Sequence, residues 1–472
     1  MSIAEKAVEF KELEKYIFGK CCEIGRAALK EALEAYDKEL SQSRDFRKYR
    51  HKGSRKTVMK TVMGEVEYRR NVYESRSEDG RKVYVYLLDE ALGRTGSGFF
   101  SALLSEEVVR AVCESTYRSG ARTVSELSGQ VISHTAAWNV VQQAGQAADM
   151  QEKQAAARAA NNKGSGKLET PLLFEEQDGI WLSLQGKSRK QYGSNREMKL
   201  GIAYSGARET GRNRYELTGK VACASFENTA SFERRMEGVI AQTYNVDEIL
   251  VRLLNGDGAD WIKSAIRDET VHFQLDAFHR NKAVLTYVRN AEIRKEIFRL
   301  LYSEQIDTLL EYLEALTDSV ENEDERQRLE TLLVYFRNNR DGLIPCHRRG
   351  LDLPEAPEGR VYRRMGAMES NIFTILGNRM KGGRACWSIK GGNNLARLLC
   401  LKFTGKLTDT MDALTSSILP EKYADEVRKE MSAANIRERV GKGYEPKRGG
   451  AFPPDSGGKW LRDFGKIRPE TM

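Results

Sequence analysis

The sequence predicts an α/β protein built on a mixed sheet, and three observations predict it. Between 171 and 279, strand-length apolar runs and helical stretches follow in the order strand, strand, strand, helix, strand, helix, strand. From 280 to about 345, apolar residues recur at helical spacing among many charges, as an all-helical insertion would. Ahead of both, a short stretch alternates apolar and polar residues with the period of a half-exposed strand.

At 472 residues the chain is long enough for several units, each with its own core. Residues 1–50 read as an N-terminal helical segment, either part of a bundle or an oligomerisation arm. Residues 51–100 read as a small basic antiparallel β unit, TVMKTVMGEVEYRRNVYE and then KVYVYLL after the turn Glu78-Asp79-Gly80. Its Arg55, Lys56, Arg69 and Arg70 are candidates to touch phosphates, with a solvated outer face as the alternative.

Residues 101–150 return to helix, and ARTVSELSGQVISHTAAWNVVQQAG has the shape of a helix-turn-helix. The first helix spans 121–127, the turn passes through Gly129, and Ser133 caps the second helix. A DNA-binding motif of this kind would set Ser133, His134, Thr135 and Asn139 at the duplex, whereas an ordinary bundle would use the same pattern for packing alone. Residues 151–170 have linker composition.

The predicted α/β domain covers 171–400, with the helical insertion at 280–345. Its strands are LLFEEQDGIWLSLQ, MKLGIAYSG, YELTGKVACASF, EILVRLLNGDG and TVHFQLDAFH. C-terminal helices are expected over 401–440 and a mobile basic tail over 441–472, where Gly, Pro and basic residues concentrate.

Lys and Arg number 76 against 68 acidic residues, and the formal charge of +8 favours a polyanionic partner without requiring one. No apolar run of roughly 18 residues occurs, and the N-terminus lacks a signal peptide's apolar core; a soluble cytoplasmic protein with no membrane partner is expected. The seven cysteines are scattered without a Cys-x-x-Cys pair, so reduced thiols are expected rather than a zinc site.

Three acidic residues stand out. Asp178 lies on the first strand of the α/β unit, Asp257 lies at the exit of the fourth inside Asn255-Gly256-Asp257-Gly258, and Glu369 begins the helix after the insertion in MGAMESNIFTILGNRM. In an RNase H-like sheet the first and fourth strands are neighbours, so these carboxylates can share a site. Hard oxygen ligands suit Mg²⁺ or Mn²⁺, and two such ions about 4 Å apart activate a nucleophile and stabilise the leaving oxygen at phosphorus. Turn chemistry is the competing explanation for an Asp before Gly.

The ordered blocks Glu176-x-Asp178 with Leu182-Ser183-Leu184-Gln185, NGDGADWIK (255–263), LDAFH (275–279) and MES with GNRMKGGRACWSIKGGNNLARL (377–398) carry a resemblance. The sequence resembles, over nearly its whole length, bacterial insertion-sequence DDE transposases of the ISLre type, related to Mutator-like transposases. That resemblance implies an RNase H-like catalytic domain in which Asp178, Asp257 and Glu369 hold two Mg²⁺ or Mn²⁺ ions. It also matches Asp276 and His279 to a signature between the second Asp and the Glu, as support for the active site or as a buried structural pair. Trp387 is a candidate to stack on an unpaired base, with core packing as the alternative. One departure is Gly179-Ile180 after Asp178, where a more polar pair is expected.

The function so implied is cleavage and strand transfer of double-stranded DNA, the partners being the element's terminal inverted repeats and the target DNA. A homo-oligomer is expected because two ends must be held together, with the protein on the nucleoid when bound. The rivals are an RNase H-like nuclease or Holliday-junction resolvase that does not join strands, and a domesticated regulator without chemistry.

Overall fold

The structure, a computed structural model, describes residues 9–93 and 100–415, and the side chains of all of these except 414 and 415. The expected helices beyond 415 and the basic tail lie outside the described residues. The chain divides into two compact units. One takes in the described residues up to Val108 and Ala121–Ala136, and the other Val109–Gly120 and Ala137–Leu414.

In the first unit a 34-residue helix, α1 (Phe10–Ser43), precedes strands β1 (Arg50–Thr61), β2 (Gly64–Arg76) and β3 (Lys82–Val85) and a short helix α2 (Leu87–Ala91). The strands form an antiparallel sheet in the order β1-β2-β3. On β2 the residues at 64, 66, 68, 70 and 72 are buried and most of those between are exposed, as the two-residue period of a strand requires. Leu33 of α1 packs with Met59, Val66, Tyr68 and Leu88 in this core. Asp37 of α1 accepts hydrogen bonds from the backbone N–H and the side-chain amide of Asn71, both at 2.8 Å.

That alternation decides which basic residues meet solvent. Arg55, Lys56 and Arg69 are exposed. Lys56 pairs with Glu67 at 2.8 Å, and Arg69 donates to Ser54 Oγ. Arg70, expected among the phosphate contacts, falls on the inward face instead: it is 9 % exposed, ion-paired with Asp89 and stacked on the Tyr86 ring at 3.8 Å.

Helices α3 (Ala102–Glu114), α4 (Tyr117–Ser128) and α5 (His134–Ala159) follow. Gly129, at φ 64°, ends α4, and Ser133 Oγ accepts from the Ala136 N–H to start α5. Lys60 Nζ, from β1, donates to the Val131 carbonyl and so ties this turn to the small sheet.

The linker expected over 151–170 is not a linker throughout. Helix α5 continues to Ala159 because QEKQAAARAA, although polar, consists of strong helix formers. Beyond it, Ser165 and Gly166 donate to the Ala241 carbonyl and Leu168 to the Thr243 carbonyl, so the strand-free segment is fastened down.

The second unit is built on β4 (Leu172–Ser183), β5 (Asn195–Tyr204), β8 (Val221–Ser225), β9 (Val251–Gly256) and β10 (Val271–Leu275) in the order β10-β9-β4-β5-β8. β9 and β10 run parallel to β4, while β5 and β8 continue as antiparallel neighbours on its other side. A short helix α6 (Gly186–Tyr192) joins β4 to β5. The single strand expected over YELTGKVACASF is two strands. Gly219 at φ 65° breaks it, leaving β7 (Arg214–Leu217) to pair with β6 (Ala207–Gly211) in a separate hairpin.

Helix α7 (Thr229–Thr243), capped by Asn228, packs Phe232, Met236 and Ile240 on Leu173, Ala203, Val221 and Cys223. Helix α8 (Asp260–Lys263) separates β9 from β10. The stretch after β10 is helical as expected: α9 (Ala277–Tyr287), α10 (Ala291–Tyr302), α11 (Ile306–Ser319) and α12 (Glu323–Asn338). Asn290 and Asn322 cap α10 and α12, and Glu323, Asp324 and Glu325 complement the dipole of α12. Their Leu300, Leu309, Leu313, Leu332 and Phe336 form one core with Leu254 and Leu275 of the sheet. Helix α13 (Met368–Ile372) continues through a π-helical turn, Phe373–Gly377, into α14 (Asn378–Met380), and α15 (Ile389–Phe403) and α16 (Leu407–Thr415) complete the described chain. Among the described residues no helix is long and apolar enough to cross a membrane.

Candidate metal centre

The parallel half of the sheet lines up acidic residues. The last β4–β9 pair is Glu176 with Asn255; two residues further on stand Asp178, still on β4, and Asp257, just past the end of β9. The last β9–β10 pair is Gly256 with Leu275, and one residue further stand Asp257 and Asp276. Three acidic residues thus meet where β9 and β10 end, the edge at which parallel sheets commonly bind ligands.

Two helices bring the remaining groups. α9 starts at this edge, and Asp276 caps it, its Oδ1 accepting from the N–H groups of Phe278 at 2.9 Å and His279 at 3.2 Å. The cap fixes the first turn so that His279 Nε2 lies 3.5 Å from Asp178 Oδ2. Hydrogen bonding to Asp178 raises the His279 pKa above its ordinary value, against the opposing effect of burial, and the charges of Asp178, Asp276 and Asp257 add to the rise. α13 brings Glu369 in its first turn.

One ligand atom each from Asp178, His279 and Glu369 lies within 4.8 Å of the others, a spacing that could hold a metal ion. Asp257 is not in that trio, though it lines the same cavity of about 10 Å³ with Gln177, Asp178, Asn255, Asp276, His279 and Glu369. Its Oδ1 accepts from the Ala259 N–H at 2.9 Å, and its carbonyl accepts from the Tyr335 hydroxyl of α12 at 2.8 Å. The turn that Asp257 makes admits only glycine next: Gly258 has φ 88°, and a Cβ there would meet Asn339 Oδ1 at 2.3 Å.

Gly179, the departure noted after Asp178, also has a physical reason. A Cβ at 179 would stand 2.1 Å from Glu197 Oε1, so the missing side chain makes room for the carboxylate of the adjacent strand. Burial raises the Glu197 pKa; the Lys199 cation opposes the rise, and the Asp257 and Asp178 charges reinforce it. Glu197 is a fourth carboxylate in the electrostatic neighbourhood of the site, hidden from sequence reasoning because only the β4–β5 pairing places it there.

The other expected site residues divide. Ser133, His134, Thr135 and Asn139 are all exposed. Trp387 is 6 % exposed and donates from Nε1 to the Met380 carbonyl at 2.8 Å, so it is a core residue and not a stacking platform.

Two carboxylates and an imidazole gathered on an α/β sheet define the class: a mixed-sheet protein with a candidate divalent-cation site. The chain belongs to an uncharacterised protein family, UPF0236, whose model matches residues 3–413. It is similar to UPF0236 proteins of Caldanaerobacter subterraneus subsp. tengcongensis. One is 25 % identical over 404 residues, covering 84 % of this chain and 77 % of the relative; a second has the same identity and covers 73 % of the relative's length.

Proposed function

We propose that this protein is a DNA transposase that cleaves and rejoins DNA strands with divalent metal ions. The observation that carries the proposal is the convergence of Asp178, His279 and Glu369 within 4.8 Å, on a cavity that Asp257 also lines. The strand order, with the first strand β4 beside β9, agrees with an RNase H-like sheet, and the helices α9–α12 stand where the resemblance expects an insertion.

The donor set fits Mg²⁺ or Mn²⁺: hard carboxylate oxygens dominate, and no cysteine lines the cavity. Asp178, Glu369 and His279 would hold one ion, and Asp257 is the residue left to serve a second. Such ions supply Lewis-acid activation at phosphorus. The protein's own part is placement, through the cap on α9 and the start of α13. DNA would approach through exposed basic and polar residues, Arg55, Lys56 and Arg69 on the small sheet and Ser133, His134 and Thr135 at the start of α5. Terminal repeats and target DNA are the partners, and a homo-oligomer the working form.

The test is cleavage and joining of labelled element-end DNA with Mg²⁺ or Mn²⁺, comparing the intact protein with Asp257→Ala and Glu369→Ala. Metal-dependent joining lost in both variants is the expected result. Cleavage without joining would replace the proposal by a nuclease or resolvase, and binding without chemistry by a regulator.

A further inference from the structure

Burying a carboxylate is costly unless hydrogen bonds or a counter-charge replace its water. Glu176, on β4 two residues before Asp178, is fully buried. Its two oxygens collect five donors. Tyr204 donates its hydroxyl at 2.6 Å and Asn255 its side-chain amide at 3.2 Å. The other three are backbone N–H groups in a row: Gly366 at 3.1 Å, Ala367 at 3.1 Å and Met368 at 3.0 Å.

Those three amides immediately precede Glu369 in sequence. The first N–H groups of a helix lack intrahelical acceptors and carry the positive end of its dipole, so a buried anion there fixes both the position and the direction of the helix. The helix so fixed runs from Met368 through the π-helical turn to Met380.

The network reaches His279 too. Asn255 Nδ2 also donates to Asp276 Oδ2 at 2.8 Å, and Asp276 is the cap of α9. Asn255 Oδ1 in turn accepts from Gln274 Nε2 at 3.2 Å.

We propose that Glu176 is the positioning residue of the metal centre: it holds the start of α13 so that Glu369 meets Asp178 and His279, and through Asn255 it shares the frame that orients His279. This rests on the metal-centre reading of that site. Glu176 does not touch the ion; it acts through the backbone of the segment that presents Glu369. A purely structural buried carboxylate would stabilise the fold without setting the cation affinity.

The test uses Glu176→Gln in the full chain, which keeps size but replaces one acceptor oxygen by an NH₂ that cannot receive an N–H. Two readouts are taken: Mn²⁺ affinity by titration, and hydrogen exchange of the 366–368 amides without metal. Loss of an outer-shell partner weakens metal binding by about 10–100-fold, the range expected for Glu176→Gln. Exchange at 366–368 should rise by about tenfold, the equivalent of one charge-assisted hydrogen bond. Tyr204→Phe, which removes one donor and leaves the charge, should weaken Mn²⁺ binding by a smaller factor and serves if the Gln variant does not fold.

Unchanged Mn²⁺ affinity in a folded variant overturns the proposal, as does a lowered melting temperature with exchange at 366–368 unaltered. An intact protein that binds no Mn²⁺ sinks the metal reading instead. Exchange at 366–368 then still decides whether Glu176 places the segment.

Discussion

The two main sheets of this protein handle charge in opposite ways. On the three-stranded sheet, charged side chains stand on the solvent face and pair across strands, as Lys56 does with Glu67 and Lys52 with Glu74 at 2.9 Å. On the five-stranded sheet, polar side chains lie in the interior: Glu176, Gln177, Asn255 and Gln274 are all at most 8 % exposed. Exposed pairs exchange protein for water at little net gain. Glu176, Asn255 and Gln274 are joined by hydrogen bonds, whereas the buried Gln177 Oε1 has no hydrogen-bond partner, and a fold bears the cost of such groups where it must hold others still. On the proposed function, the first sheet would offer charge to a partner and the second would position the candidate metal ligands.

The largest effect should come from the site that the second sheet serves. On the proposed function, Asp178→Ala and Glu369→Ala each remove a candidate charged ligand and should lower metal-dependent DNA cleavage by roughly 10³-fold or more, since ions in such sites supply most of the transition-state stabilisation. Single-turnover cleavage with Mn²⁺ measures this. Retention of even a tenth of the activity in both variants would move the chemistry elsewhere and dissolve the contrast between the sheets.

Next is a charge that crosses from one class to the other. Arg70 belongs to the surface sheet by sequence but to the interior by register, paired with Asp89 and stacked on Tyr86. Removing one partner of a fully buried pair costs about 3–5 kcal/mol. Asp89 retains 19 % side-chain exposure, and some hydration would reach it. Arg70→Met should therefore destabilise the first unit by about 2 kcal/mol, below that range. Chemical denaturation checks it, and Arg70→Met with Asp89→Leu should recover most of the loss; equal losses in single and double variants would show that the pair is not the cause.

How much of this could be read in the sequence follows from the range of the interactions. Strand and helix periodicity is local, so the element order and the helical stretch after LDAFH were legible. That Asp178 and Glu369 come together was legible through the blocks around them, whereas the third member of the cluster is His279 and not the expected Asp257. Arg70 was not, because adjacent Arg69 and Arg70 differ only in the face that the register gives them. The β6–β7 hairpin was concealed inside a run that looked continuous, and α5 extends into a segment whose polarity suggested a linker while its Ala, Gln and Glu favour helix. Glu176 stood in a block beside Asp178, but its contacts gave no local warning, because they are made with the backbone of residues 190 to 192 positions away.

A smaller effect is expected at Gly179, where the sheet interior meets the site. An added Cβ would meet Glu197 Oε1 at 2.1 Å, Cδ at 2.7 Å and Cγ at 2.8 Å, side-chain atoms and not backbone, so the whole Glu197 side chain must turn away. Gly179→Ala should leave the melting temperature nearly unchanged while shifting Mn²⁺ affinity by about threefold, well under the 10–100-fold of a lost outer-shell partner. A large loss of stability would mean that Glu197 is held and cannot yield.

The smallest structural effect belongs to the surface sheet itself. Lys56 and Glu67 are both well exposed, with side-chain exposures of 64 % and 59 %, so water screens their attraction and Lys56→Ala should not move the melting temperature measurably. The same substitution separates a solvated face from a DNA-binding one. If Lys56 contacts a phosphate, its loss weakens binding to all duplex sequences alike and lowers the slope of log affinity against log salt by about one. If the slope is unchanged for Lys56→Ala and for Arg55→Ala, the three-stranded sheet is a solvated surface and DNA is met elsewhere. A shift in both places the nonspecific electrostatic contact on this sheet, apart from the buried polar frame around the candidate metal ligands.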